Sequence, residues 1–416
     1  MRLKLSMKAR LLFLQVILSS FLAGAQDYNY LFDRVLEHKT ISFGVNAHQE
    51  LASNGITGNF FKEYISGGFL DDDLKDQSIE HLKSENLAVV LYGGSAFLKL
   101  GLRNHSFKLT FNIDYNSFNE VLFHKDIFVL YFKGNKSFEG RSANLTPFQI
   151  ERSEFSAFKF GIEKDFKSLQ LGLKVGLCSG LDYLSLKAEN GSLFTATDGK
   201  YVDLQMLLNS YHVTSKPAGV WNNKALGFVF DGKLLYQATQ NIHLSFELKN
   251  LGFMDWSGNI RERVVDTLYR YSGLEIDNLL DTFSIKVKNV DEIESDFVRT
   301  RSGLSRSSHL PAEWRASLGV KLFDDKLYID FGCGGFQSEF SKTIYYLNTQ
   351  YHLRSNLAGG FILKNNAYAD WDLGMHLSFS AAKTFGVQVY WESLSFLGSS
   401  VSNLKLVGGA ALRMSL

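Results

Sequence analysis

The stretch Leu404-Lys405-Leu406-Val407-Gly408-Gly409-Ala410-Ala411-Leu412-Arg413-Met414-Ser415-Leu416 decides how the rest of the chain is read. Its even positions are apolar or small, while Lys405, Arg413 and Ser415 stand on the odd ones. Alternation with period two defines a β-strand whose two faces meet different surroundings, and about ten such residues cross a bilayer's hydrocarbon when tilted. An apolar edge left unpaired aggregates, so the strand needs a partner. Ile41, Phe43, Val45 and Ala47, alternating with Ser42, Gly44, Asn46 and His48, supply one near the other end of the chain. Pairing the two seals a sheet into a barrel.

Working outward, the same alternation recurs through the body of the sequence. Leu169, Leu171, Leu173, Val175, Leu177 and Leu181 interleave with Gln170, Gly172, Lys174, Gly176, Cys178 and Gly180. Phe107 to Tyr115, Phe158 to Ile162, Ile242 to Leu248, Ala316 to Leu322, Leu327 to Phe331, Trp371 to Phe379 and Phe385 to Trp391 repeat it. Turn signals such as Lys167-Ser168, Asp324-Asp325 and Lys364-Asn365-Asn366 separate the runs. A soluble sandwich alternates too, but its strands are shorter and its apolar faces need a covering layer. Only 3 prolines accompany 35 glycines, and aromatic residues reach 14%. That balance suits long curved strands and interfacial girdles. Mean hydropathy is near zero because a barrel averages a greasy face with a wet one. The fold class expected is all-β: a transmembrane, antiparallel, up-and-down β-barrel. About fifteen runs qualify as strands, and single-chain bacterial barrels have even numbers. Fourteen strands are expected, with sixteen the alternative.

Arg2, Lys4, Lys8 and Arg10 precede the apolar run Leu11 to Leu22 and the small residues Ala23-Gly24-Ala25. This is the pattern of a cleaved secretory signal over 1–25, which leaves 26–416 as a single barrel domain bound for the bacterial outer membrane. Without the four basic residues of the leader, the formal charge of +1 becomes −3, which removes any electrostatic case for nucleic acid. The phase of the strands aims Cys178 inward and Cys333 outward, so no disulfide between them is expected.

Three segments break the alternation. In 52–86, Phe60, Phe61 and Tyr64 precede Gly67-Gly68, and Asp71 to Asp73 open a run of helical spacing, so two short helices are predicted. In 119–140, the apolar run around Phe128 and Tyr131 predicts a helical insertion. The segment 258–310 is polar and charged and is expected to be a long surface loop or lid carrying short helices. An open lumen would leak, so Phe60, Phe61, Tyr64, Phe128 and Tyr131 are candidates for a plug or for ligand contact. Charges are tolerated at membrane depth only away from lipid. The strand phase therefore assigns Lys174, Asp231, Glu247, Lys249, Lys321, Asp330, Glu392 and Arg413 to the lumen, where they brace the wall or line a solute path.

Nothing in the sequence marks an enzyme, a metal site or a cofactor site. Ser210 with His212, and His376 with Ser378, are the nearest nucleophile and base pairs along the chain, but no Gly-x-Ser-x-Gly elbow, His-Glu-x-x-His or phosphate loop is present. Asp71 to Asp73 lack the spacing of a calcium loop.

Lys133-Gly134-Asn135 with Phe138 and Gly140, Gly227-Phe228-Val229-Phe230-Asp231 with Tyr236, Asn250 to Trp256, and Leu310-Pro311 together resemble an uncharacterised family of outer-membrane barrels from Bacteroidota. That family is similar to fatty-acid-transporter-type barrels, which include lipoprotein-shuttle and type IX secretion or gliding-associated members. The resemblance implies fourteen strands with inward helices and no established activity. Two functions follow as expectations. One is a channel or carrier for a hydrophobic or amphipathic small molecule, embedded in outer-membrane lipid. The other is a plugged barrel that docks other proteins of a cell-surface or secretion complex.

Overall fold

The computed structural model describes residues 41–415 apart from 103–106, 214–224, 273–296, 341, 366–370, 382–383 and 394–402. The predicted leader, 1–25, lies outside the described residues. Fourteen long strands make the wall. They are β1 (Ile41–Thr57), β2 (Glu85–Gly101), β3 (Phe107–His124), β5 (Phe148–Asp165), β6 (Leu169–Thr195), β8 (Ala225–Gln237), β9 (Ile242–Asp255), β13 (Ala312–Leu322), β14 (Leu327–Gln337), β15 (Ile344–Arg354), β16 (Leu357–Asn365), β17 (Trp371–Ala381), β18 (Phe385–Trp391) and β19 (Asn403–Ser415). Each pairs antiparallel with the next, and β19 returns to β1 with Ser42 opposite Ser415 and Leu51 opposite Leu406. The result is a closed antiparallel barrel of 14 strands, as expected.

The outside of this wall is apolar. Leu177 is 59% exposed, Val175 60% and Phe228 61%, whereas Lys159 is 4% and Arg413 5% exposed. A water-soluble chain reverses that arrangement. Phe111, Ile113, Phe158, Phe160, Leu244, Phe331, Leu373, Met375 and Leu377 continue the exposed belt around the ring. No helix among the described residues is long and apolar enough to cross a membrane; the strands do the crossing.

The two ends of the barrel differ. The links 166–168, 238–241, 323–326 and 355–356 are tight turns at the end where Ile41 and Ser415 lie. The long connections all emerge at the opposite end. Two of them carry helices: α1 (Gly58–Ser66), α2 (Asp72–His81) and α3 (Lys125–Lys133). The Thr57 and Asp71 side chains cap α1 and α2 by accepting the amides of Phe60 and Leu74, and Gly67, at φ 71°, ends α1.

Five further strands lie outside the wall: β4 (Ser142–Asn144), β7 (Val202–Val213), β10 (Ile260–Tyr271), β11 (Val298–Leu304) and β12 (Ser307–His309). The outer half of β6 pairs with β7, β7 with β10 and β10 with β11, so one part of the wall continues beyond the apolar belt as a free-standing sheet.

The interruptions are shorter than the sequence suggests. Ala52 to Thr57 complete β1, and Asn119 to His124 complete β3, so their helices begin only at Gly58 and Lys125. The described part of 258–310 forms strands β10, β11 and β12 where short helices were expected. Its sequence, Ile260-Arg-Glu-Arg-Val-Val-Asp-Thr-Leu-Tyr-Arg-Tyr271, hides the strand because neither face meets lipid and neither needs to be uniformly apolar.

Candidate functional site

Strand phase sends one side chain in two into the lumen, and on β2, β3, β5, β6, β8 and β9 many of these are charged. Lys159 on β5 is their centre. Its Nζ lies 2.9 Å from Asp114 on β3 and 2.8 Å from Asp231 on β8, and it donates to Asn250 Oδ1 at 2.7 Å. A bulge makes this possible. The β8–β9 register shifts between Phe230 and Gly232, and Asn250 opposite adopts φ 57°. That turn lets Asn250 bond twice, since its backbone amide also donates to Asp231 Oδ1 at 2.9 Å. A lysine buried this deeply is tolerated because carboxylates and an amide oxygen replace its water. Lys99 pairs with Glu163 at 2.9 Å, and Arg315 with Glu313 at 2.6 Å, extending the network round the wall.

All of these side chains but Arg315 border a chamber of about 190 Å³ inside the barrel. Its part nearest the turn end is lined by Lys99, Glu163, Lys174, Lys233, Glu247 and Arg413. Towards the long-loop end Leu91, Phe118, Phe155 and Phe336 join the lining beside Ser117 and Glu313. A smaller cavity of about 40 Å³ adjoins it, shares Glu313 and Phe336, and holds Lys364 between Glu392 at 3.0 Å and Glu50 at 3.6 Å.

Of the eight side chains assigned to the lumen, Lys174, Asp231, Glu247, Lys249 and Arg413 line the chamber and Glu392 the smaller cavity. Lys321 and Asp330 are buried at 4% and 9% exposure but line neither. Lys159, Asp114 and Glu163 stand on the inward phase of strands that the alternation marks, yet are not among the eight, and Lys99 lies on β2, which the alternation does not single out. Which inward charges meet is set by register and by the Asn250 bulge, and neither leaves a sequence signal.

The expected plug is elsewhere. Phe60 and Phe128 are buried together, ring centres 5.0 Å apart, beneath Phe132, Leu82 and Phe123. Phe61 is partly buried on α1, and Tyr64 and Tyr131 are 43% and 67% exposed. None of the five lines the chamber. Val121, Phe123 and Phe148, which pack against the cluster, have the strand parity of the outer face, opposite to lumen-facing Phe118 and Phe155. The helices therefore cap the rim, because apolar strand tips beyond the bilayer offer α1 and α3 a surface to bury against.

The lumen is crossed instead by the end of β14 and the turn after it, Phe336–Phe340. Phe336 and Phe340 pack on Ala52, Leu87, Val89, Leu91 and Phe118 of β1, β2 and β3. Glu339 meets Lys187 on β6 at 3.1 Å and accepts from Gln149 on β5. Along the wall β6, β8, β9 and β13 stand between β5 and β14, so the contact is made across the opening.

The candidate hydrolase pairs are engaged otherwise. His376 Nε2 lies 3.0 Å from the Thr349 carbonyl, and Ser210 Oγ lies 3.5 Å from that of Arg263.

A closed antiparallel wall with an apolar outside and charged lumen defines a transmembrane β-barrel. Residues 39–391 match the family of unknown function DUF5723, and the chain belongs to that family. Among solved structures it is similar to a mutant of the monoaromatic hydrocarbon channel TodX (10% identity, TM-score 0.47, 91% of each chain). It is also similar to the Ralstonia pickettii toluene transporter TbuX (10% identity, TM-score 0.43, 92% of this chain and 91% of that one). A third similar structure is a Pseudomonas aeruginosa FadL homologue (11% identity, TM-score 0.40, 90% and 88%). No curated protein matches the sequence.

Proposed function

We propose that this protein is an outer-membrane channel or carrier for a small amphipathic molecule. The observation that carries the reading is the chamber's mixed lining, in which Phe97, Leu91, Phe118, Phe155 and Phe336 stand among Lys99, Glu163, Lys174, Glu247 and Glu313. A pure hydrocarbon gains nothing beside Lys174 and Glu247, whereas a molecule with a polar head and an apolar body can satisfy both kinds of side chain. Outer-membrane barrels keep short turns on the periplasmic side and long loops outside. The rim helices, the sheet of β7, β10 and β11, and the whole described part of 258–310 then face the cell exterior, and solute enters from there. Purified protein in liposomes is expected to carry co-purified amphiphile or to release an entrapped one. Protein that does neither overturns the reading.

A second reading, a docking component of a cell-surface complex, is favoured by one observation. β7, β10 and β11 build a sheet that lies outside the wall, and Arg299 and Arg301 stand exposed on it. If removal of this sheet leaves every co-purifying protein in place, that reading fails.

A further inference from the structure

Five apolar side chains form a shelf on the inner wall just below the long-loop end: Ala52 on β1, Leu87, Val89 and Leu91 on β2, and Phe118 on β3. In this structure the patch is covered. The rings that cover it belong to Phe336 and Phe340, which arrive from the far side of the opening, with Phe336 and Phe118 ring centres 5.4 Å apart. Phe336 also lines both the chamber and the smaller cavity, so its ring forms part of the chamber roof.

On its polar side this strap is held through Glu339, which pairs with Lys187 and accepts from Gln149. The Lys187 and Glu339 side chains are 56% and 49% exposed, and an ion pair that open to water contributes little. Phe336 keeps its place in the β13–β14 ladder opposite Glu313, so exchange releases only the seating of the two rings, and a group that seats equally well offsets the loss of those ring contacts.

We propose that the shelf of Ala52, Leu87, Val89, Leu91 and Phe118 is a binding subsite for the apolar, ring-sized part of the solute, and that Phe336 and Phe340 occupy it when the solute is absent. Entry exchanges the solute's apolar group for the two phenyl rings, which turn off the shelf while the Phe336 backbone stays paired with β13. This subsite rests on the amphiphile reading above and adds where the apolar part binds and what it must displace.

The test is a titration of the detergent-solubilised protein with the fluorescent apolar amine N-phenyl-naphthylamine, repeated on three variants with unchanged heat-modifiable gel mobility. Phe336→Ala with Phe340→Ala removes the competing rings and is expected to tighten binding by about tenfold. Lys187→Cys with Glu339→Cys, joined by a short thiol crosslinker, fixes the strap and is expected to weaken binding by a similar factor, with recovery when a cleavable linker is cut. Val89→Trp fills the shelf and is expected to abolish the tight site in the double-alanine background. Equal affinity in wild type, double-alanine and crosslinked proteins overturns the subsite while leaving the amphiphile reading intact. No probe bound by any form, with no flux in liposomes, overturns both.

Discussion

Lys159 shows at the scale of one residue what the lumen demands. Its charge is balanced by Asp114 and Asp231 within 3 Å, and those carboxylates are themselves largely buried. Lys159→Met leaves both without their cation, and breaking a buried pair by removing one partner costs about 3–5 kcal/mol. The expected outcome is a lower temperature for loss of the fast-migrating folded band on gels, recovered in part by adding Asp231→Asn. Individual positions were the most legible part of this sequence where the wall is regular. Phe158, Phe160, Leu173, Val175 and Met375 all face outward as their phase predicts. Legibility ended at Asn250, where positive φ and a register shift aim a side chain by backbone geometry instead of by alternation.

Among elements, the short helices and the strap trade the roles that the sequence suggested. The run around Phe60 and the run around Phe128 were visible as helices because their spacing and caps are local. Whether they plug or cap depends on contacts with Phe123 and Phe148, which sequence spacing does not encode. Conversely Phe336–Phe340 reads as an ordinary turn, and its part in closing the lumen comes from contacts with strands far away in the chain.

The cap has a pH limit that can be measured. The Lys75 ammonium, hydrogen-bonded to Asp72, and the nearby Lys133 hold the Asp72 carboxyl below the usual carboxylate range. A depressed native value adds stability above the ordinary carboxylate value of about 3.9 and loses it as pH falls below. Amides of α2 are expected to exchange faster relative to those of β1 at about pH 3 than at about pH 6, by a modest margin because Asp72 is exposed.

The sheet of β10 and β11 offers a prediction at the same scale. Trp256 donates its amide to the Arg306 carbonyl at 2.9 Å, so the two ends of the excursion are already together. Replacing 258–304 with a short Gly-Ser linker is expected to leave a heat-modifiable barrel with lowered thermal stability, since Ile260 and Leu304 leave the cluster around Trp256. Loss of the folded band altogether would show that β10 belongs to the barrel core.

For the whole molecule, closure follows from the first and last runs alternating alike, and even parity narrows the strand number to fourteen or sixteen. About fifteen runs were visible and fourteen enter the wall. β7 and β10 pair with each other outside the wall, where alternation no longer sorts lipid from water. The chamber was only half legible, since phase tells which charges point inward but not how a register of fourteen strands brings them together.

The central claim is that the apolar face meets lipid while the charged face meets an aqueous chamber. Spin labels attached through Val175→Cys and through Lys174→Cys, adjacent on β6, test it most directly in reconstituted liposomes. The label at Val175 is expected to collide with lipid-soluble oxygen and to be shielded from a water-soluble nickel complex, and the label at Lys174 is expected to show the opposite. Equal access of the nickel complex to both positions would contradict the account.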